Sequence, residues 1–372
     1  MKFSICIPNY NYGHYIAETI DSALQQPVEM EVIVADNAST DDSVAVIGAI
    51  GDPRVSLIRN RCNVGFAGNL DRATRTAAGD RLVLLSADDL IAPGGLAAYD
   101  RLAAALGDAH RGAIFSSGQS TIDSRGHLQD GGAGSTLDTR LWADAVLDPA
   151  LGDAVGAPVW RVPAAALLRR SLMLMRVPFH FLSTCYSRDL YDAVEGYGGG
   201  RLMNPDKAFA WKLLGVATDA YFVDAPLFRY RVHGANQNAQ QAKAGALKHI
   251  VDDYVASFDT PPWVLARAGV TPADLAAAFV EQDIGLRGLK LVAEGNRRDA
   301  RRGLDLGRAA YPDLVRRSPT VARLRLLLAL GTAGSKLAAQ LFEGEKRRWA
   351  LRLVREAGTG VPQGALPAGS TG

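Results

Sequence analysis

The chain has 372 residues, 48% of them hydrophobic and 22% charged, the balance of an ordinary globular protein with room for roughly two to three domains. Its three cysteines, Cys6, Cys62 and Cys185, are odd in number and far apart, which excludes a disulfide framework or a metal-ligand spacing and points to a reducing compartment. Net charge is only +2, but residues 286–356 hold 17 Lys/Arg against 7 Asp/Glu, or +10, leaving 24 against 32, or −8, elsewhere; such asymmetry suits an anionic surface, or docking of the basic part onto the acidic one.

The first residues, Met1 to Asn9, turn polar too soon for a signal peptide. No stretch reaches the ~18 apolar residues of a spanning helix, since Leu324–Phe342 is interrupted by Arg325 and Lys336. A cytoplasmic protein is expected. Phe3 to Pro8 reads as a strand, and Ile16, Ile20, Ala23 and Leu24 recur at helical spacing. Glu31–Ala35 is a buried-strand run closed by Asp36-Asn37, after which Ser39, three residues before Asp42, is expected to cap a helix. Arg54–Asn60 is a third strand, Phe66–Ala78 a third helix and Arg81–Ser86 a fourth strand. Pro226–His233 alternates, with Phe228, Tyr230 and Val232 on one face and Arg229, Arg231 and His233 on the other. Gly126–Gly134 reads as a Gly-rich loop. Beyond about Ala244 the pattern is helical, and Gly358–Gly372 is a Gly/Pro/Ser/Thr tail expected to be disordered.

This β-α-β alternation predicts an α/β fold with a mostly parallel sheet flanked by helices. Ligands on such sheets sit outside the carboxyl ends of the strands. Polar clusters fall at four successive ends: Pro8-Asn9-Tyr10, Asp36-Asn37, Asn60 to Asn63, and Asp88-Asp89. A Gly-rich phosphate loop, as a sugar nucleotidyltransferase needs, and the G-x-G-x-x-G of a dinucleotide site are both missing after the first strand.

Phe3-Ser-Ile-Cys-Ile-Pro-Asn-Tyr-Asn, Val34-Ala-Asp-Asn-Ala-Ser-Thr-Asp-Asp and Leu84-Leu-Ser-Ala-Asp-Asp together resemble the family 2 glycosyltransferases of the GT-A fold. The likeness runs from residue 3 to about 95 and more loosely to about 240. It implies a GT-A-like catalytic domain over residues 1–240, a helical basic region over 241–357, and an inverting transfer from a nucleotide sugar, UDP-linked by expectation, to an acceptor hydroxyl in cell-surface polysaccharide or glycolipid synthesis. Pro8, Tyr10, Asp36, Asn63, Asn69, Ala87 and Arg231 would then hold the donor, with Tyr10 beside the base and Asp36 accepting from it. Asp88, Asp89 and His233 would hold Mn²⁺ or Mg²⁺, which a departing diphosphate needs. The family pattern is Asp-x-Asp; here Ser86 stands at its first position.

Asp206 is the expected general base. Asn204-Pro205-Asp206 reads as an N-cap followed by Pro at the first helical position, where an Asp also suits the helix dipole; the resemblance adds the role of taking the acceptor's proton. The expected partners are the donor and a saccharide or lipid-linked saccharide, with no nucleic acid. Arg297-Arg298 with Arg301-Arg302, and Lys346–Arg355 with Trp349 and Leu353, suit either peripheral contact with the inner face of a membrane or packing on neighbours, a second copy included. Ser86 and Pro205 at motif positions leave a non-catalytic binding module as the rival reading.

Overall fold

The computed structural model describes residues 1–129, 137–197, 205–234, 245–339, 341, 344 and 348. Asn204, Asn236, Gln237, most of the Gly-rich loop, the Lys346–Arg355 segment apart from Arg348, and the 358–372 tail lie outside these residues.

Strand β1 (Phe3–Asn9) is buried along its whole length, as a strand covered on both faces must be. Strands β2 (Met30–Asp36), β3 (Val55–Arg59) and β4 (Arg81–Leu84) lie parallel to it in the order β3-β2-β1-β4. They alternate with helices α1 (Gly13–Leu24), α2 (Ser43–Ala49) and α3 (Gly65–Thr76). The remaining strands are β5 (Leu90–Ile91), β6 (Ala113–Ile122), β7 (Val146–Leu147), β8 (Val159–Pro163), β9 (Cys185–Ser187) and β10 (Asp219–Arg231). They extend the sheet as β4-β9-β6-β10-β8-β7, with β5 beside β10. The sheet is thus mixed. It is parallel through its first four strands and at β6–β10, and antiparallel where β9, β8, β7 and β5 join.

Two local expectations change. Ser39 does not cap α2: its hydroxyl donates to Asp36 Oδ1 at 2.5 Å. Asp41 takes the neighbouring donors instead, accepting from the Ser43 backbone at 3.0 Å and from the Gly13 N–H, at the start of α1, at 2.8 Å. A side chain at Gly13 would collide with Asp42, since a Cβ there would lie 2.0 Å from its carboxylate. The strand expected at 226–233 begins earlier, at Asp219, and ends at Arg231. Its register shifts on both sides of Pro226, which has no N–H to give the ladder.

Helices Ala246–Phe258, Pro262–Ala268, Pro272–Phe279, Arg287–Ala293, Arg297–Ala310, Pro312–Arg317 and Pro319–Ala329 make up the C-terminal region. Their starts carry strong signals: Thr271 and Asp274 form a capping box, and Asn296 and Ser318 accept from backbone N–H groups three residues on. These helices share a core with one face of the sheet. It runs from Cys6, Leu70 and Leu84 through Trp211 and Leu214, both on α8 (Asp206–Val216), to Phe279, Leu289 and Leu324.

A buried ionic cluster joins α8 to that region. Lys207 Nζ donates to Met175 O at 2.7 Å and pairs with Asp253. Asp253 also accepts from Arg287, which reaches Asp283 at 2.8 Å as well. Asp283 lies in a π-helical turn, Val280–Leu286, and burial, with Asp253 nearby, pushes its carboxyl up to about 7 against the pull of Arg287. Removing one member leaves buried charge uncompensated. Asp253→Ala should therefore destabilise the protein by roughly 3 kcal/mol, measured by denaturant unfolding; an unchanged midpoint would show that the cluster adds nothing to stability.

Candidate functional site

The ends of β1, β2 and β3 are tied together by side-chain amides. Asn9 Nδ2 donates to Asp36 Oδ1 at 2.8 Å. Asn37 donates to Asn63 Oδ1 at 2.8 Å and accepts from the Val64 N–H at 2.9 Å. Asn69, on α3, donates to Ala35 O at 2.7 Å and accepts from Asn60 at 2.8 Å. Two turns in this floor hold non-glycine residues in left-handed conformation, Asn11 (φ 60°) and Ala38 (φ 61°). Such backbone costs on the order of 1 kcal/mol and persists where its surroundings over-determine it. Here the Asn11 side-chain Oδ1 accepts from the Thr40 N–H at 2.8 Å.

Next along the sheet, Asp88 and Asp89 are both buried, at 6% and 1% exposure. Neither caps a helix, because α4 (Gly95–Leu106) begins after Gly94. Burial raises the carboxyl of Asp88, opposed by its contact with His233, and burial together with the charge of Asp88 raises that of Asp89 further. Three elements hold the pair. The Arg231 N–H donates to Asp89 Oδ1 at 2.8 Å and its Nε to Asp88 O at 2.7 Å. His233 Nε2 lies 3.0 Å from Asp88 Oδ2. Ser86, where the family pattern has aspartate, accepts from the Asp89 N–H at 3.2 Å through its backbone carbonyl, and its side chain lowers the Asp89 carboxyl. Arg231 is itself buried, lies over the Tyr15 ring at 4.7 Å and pairs with Glu18 of α1 at 2.6 Å.

Ser86, Asp88 and Asp89 border a cavity of about 810 Å³ outside the strand ends. One wall is polar, with Pro8, Asn9, Tyr10, Tyr12, Asn37, Asn63, Asn69, Ala87, Asp88 and Asp89. The lining also has an apolar part, with Phe66, Val177, Phe179, Phe181, Phe209 and Leu213, and it includes Asp206. Asp206 is the first residue of α8, and no side-chain cap was found at Pro205 before it. Its Oδ1 is enclosed with no hydrogen-bond partner, and burial raises its carboxyl to about 6.

The structure therefore brings Pro8, Tyr10, Asn63, Asn69, Ala87, Asp88, Asp89 and Asp206 to one cavity. Tyr10 is 44% exposed at its rim. Asp36, Arg231 and His233 stand behind the lining. Asp36 is 1% exposed and accepts from Asn9 and Ser39, so it braces the floor. Arg231, expected at the diphosphate, directs its guanidinium to Asp88 O, Glu18 and the loop carbonyls of Asp123 and Ser124. Reading the sequence missed Tyr12, whose hydroxyl is raised by burial and by the charges of Asp88 and Asp89, although its place two residues past Tyr10 was a signal. It also missed the apolar wall, whose residues come from separate loops and helices.

A metal fits at one corner of this site. Two adjacent buried carboxylates, both raised, would be relieved by a cation, and oxygen ligands suit Mg²⁺ or Mn²⁺. Among the described residues no group of three or more His, Cys, Asp or Glu side chains converges as a ready-made cage. An ion at Asp88 would thus draw further ligands from substrate phosphate and water, as Mg²⁺ commonly does.

Residues 4–121 match the family described as glycosyl transferase family 2. Over 87 residues the chain is 38% identical to the UDP-Glc:alpha-D-GlcNAc-diphosphoundecaprenol beta-1,3-glucosyltransferase WfaP of Escherichia coli, covering 23% of this chain and 35% of that protein. Over 85 residues it is 39% identical to the succinoglycan biosynthesis protein ExoO of Rhizobium meliloti, covering 23% and 24%. The matched stretch spans about a third or less of these relatives. The crystal structure of S. aureus TarS 1–349 in complex with UDP-GlcNAc aligns with a TM-score of 0.60 at 17% identity, over 94% of this chain and 92% of that one. The shared fold is GT-A-like, a mixed sheet flanked by helices with a helical C-terminal region.

The isolated carboxyl of Asp206 has a consequence for stability. Raised from 3.8 to about 6, it keeps its proton in the folded state through a window where the unfolded chain has lost it. Stability should therefore fall as pH rises through that window, and the loss is complete above the folded value. Asp206→Asn removes this dependence, so its thermal midpoint should exceed that of the parent at pH 7 and match it at about pH 4. Parallel pH profiles for the two proteins would contradict the burial argument.

Proposed function

We propose, from the match of residues 4–121 to the family 2 glycosyltransferases, that the chain transfers a sugar, with inversion, from a UDP-sugar to a hydroxyl of a saccharide or lipid-linked saccharide acceptor. The observation that carries this reading is the meeting of three carboxylates in one cavity. Buried Asp88 and Asp89 line the same cavity as a third carboxylate, Asp206, whose Oδ1 is buried with no hydrogen-bond partner. The names of relatives support the substrate class: WfaP acts from UDP-Glc on a diphosphoundecaprenol-linked sugar, and ExoO serves succinoglycan synthesis. The TarS structure with UDP-GlcNAc has the same fold.

In this proposal the base stacks at the rim against Tyr10, with Asn63 and Asn37 beside it. Asp88, with His233 at its back, would hold Mg²⁺ or Mn²⁺, which when bound neutralises charge on the leaving diphosphate. Asp206 accepts the acceptor hydroxyl's proton as that oxygen bonds to the anomeric carbon. The bond from that carbon to the diphosphate oxygen breaks, and UDP departs with the electron pair. A carboxyl titrating at about 6 is ionised at neutral pH yet basic enough to share the proton in the transition state. Its apolar surroundings keep water from competing for the sugar.

Turnover should rise with pH through about 6 and then level off, following Asp206. Assayed with a panel of UDP-, GDP- and dTDP-sugars and Mn²⁺ or Mg²⁺, one donor class should be consumed. Asp206→Asn should lower kcat by ~10²–10⁴ while leaving nucleotide affinity nearly unchanged. Unchanged turnover in that variant would remove Asp206 from the mechanism, and no donor consumption with any metal would favour a non-catalytic binding module.

A further inference from the structure

The basic C-terminal helices carry a feature that the cavity chemistry leaves unused. Helices Arg297–Ala310 and Pro319–Ala329 enclose a second, open groove of about 690 Å³. Its floor is apolar, with Leu304, Ala322, Leu328 and Ala329, and Arg301, Arg308 and Arg325 edge it. Asp305 is the single acid on its walls among the described residues, and it pairs with Arg308 at 3.4 Å. From 297 to 330 the chain holds nine arginines against three acids, or +6. Arg298, Arg301, Arg302 and Arg325 are exposed. The described partners of Arg308 and Arg316 are acids one turn away on their own helices, Asp305 and Asp313. The charge of Arg298, Arg301, Arg302 and Arg325 is therefore presented outward.

Beside the arginines stand large apolar side chains in water. Leu326 is 60% exposed, Leu330 48% and, after the turn at Gly331, Leu337 43%. At 100° per residue Leu326 lies a quarter-turn round from Arg325, and Leu330 continues the same side. Leaving these leucines in water forgoes the gain that burying them would bring. Arginine and leucine side by side fit a surface that is anionic at the headgroups and apolar just beneath. A soluble polyanion would use the arginines and leave the leucines wet.

We infer that the face formed by Arg298, Arg301, Arg302, Arg325, Leu326 and Leu330 docks on an anionic lipid bilayer, the arginines meeting lipid phosphates and the leucines entering the interface. The inference does not depend on the catalytic assignment. It would, however, hold the cavity near an acceptor carried on a lipid.

The test is flotation of the full chain with vesicles of phosphatidylcholine alone or mixed with phosphatidylglycerol. The protein should float with the anionic vesicles, stay behind with neutral ones, and lose binding as salt is raised. The double variant Arg301→Glu/Arg325→Glu should bind at least about tenfold more weakly. Leu326→Asn/Leu330→Asn should also weaken binding, with a smaller change in its salt dependence. All these sites are on the surface, so thermal midpoints and nucleotide binding should match the parent. No flotation with anionic vesicles, or equal flotation by the charge-reversed variant, would overturn the inference. So would a concentration-dependent dimer that the same substitutions abolish with no vesicle binding in the parent, because the face would then be a contact between copies.

Discussion

Two carboxylates side by side in a buried loop, Asp88 and Asp89, impose the constraint around which the rest of the site is arranged. Neither can be left unpartnered, because burial and mutual repulsion both oppose ionisation. The chain meets this by bringing β10 back beside the loop, so that the Arg231 N–H, the Arg231 guanidinium and His233 all reach the pair. Arg231 in turn needs an anion and a stacking face, which α1 provides through Glu18 and Tyr15. The N-terminal βα units and a strand some 140 residues later are thus joined at one polar point. The remaining repulsion is a demand for positive charge, and it faces the cavity.

Asp206, elsewhere in the same cavity lining, works by the reverse logic. It lies beside apolar side chains, and among the described residues none pairs with its carboxylate, so burial moves its carboxyl toward neutrality and leaves it a usable base. Holding a lone carboxylate in such a place requires a rigid support. The next residue, Lys207, provides a fixed point through Met175, Asp253 and Arg287. The C-terminal helices therefore buttress the cavity wall as well as contributing to the core beneath it.

How much of this was legible in the sequence depended on whether the signal was local. The four parallel strands and their helices followed from periodicity, and the polar strand ends located the cavity because ligand sites on such sheets lie there. Asp88, Asp89 and Asp206 sit at element boundaries, where short-range patterns are strongest. Arg231 shows the limit: alternation placed it with His233, but the choice between substrate and protein partners depended on Glu18, more than two hundred residues away. Asp36 failed similarly, since its neighbours Asn9 and Ser39 consume its acceptors. The antiparallel additions β7, β8 and β9 are two to five residues long, too short for a period to register. The apolar wall is assembled from Phe66, Val177, Phe181 and Phe209, which share no spacing at all.

The central claim is that the buried Asp88–Asp89 corner acts as a cation-assisted diphosphate site. Calorimetric titration of UDP into the full chain, with Mn²⁺ and then with a chelator, for the parent and Asp88→Asn, tests it most directly. The account predicts that Mn²⁺ raises UDP affinity by at least about tenfold in the parent and by much less in the variant. Equal affinity with metal and with chelator, or the same gain in Asp88→Asn, would contradict it.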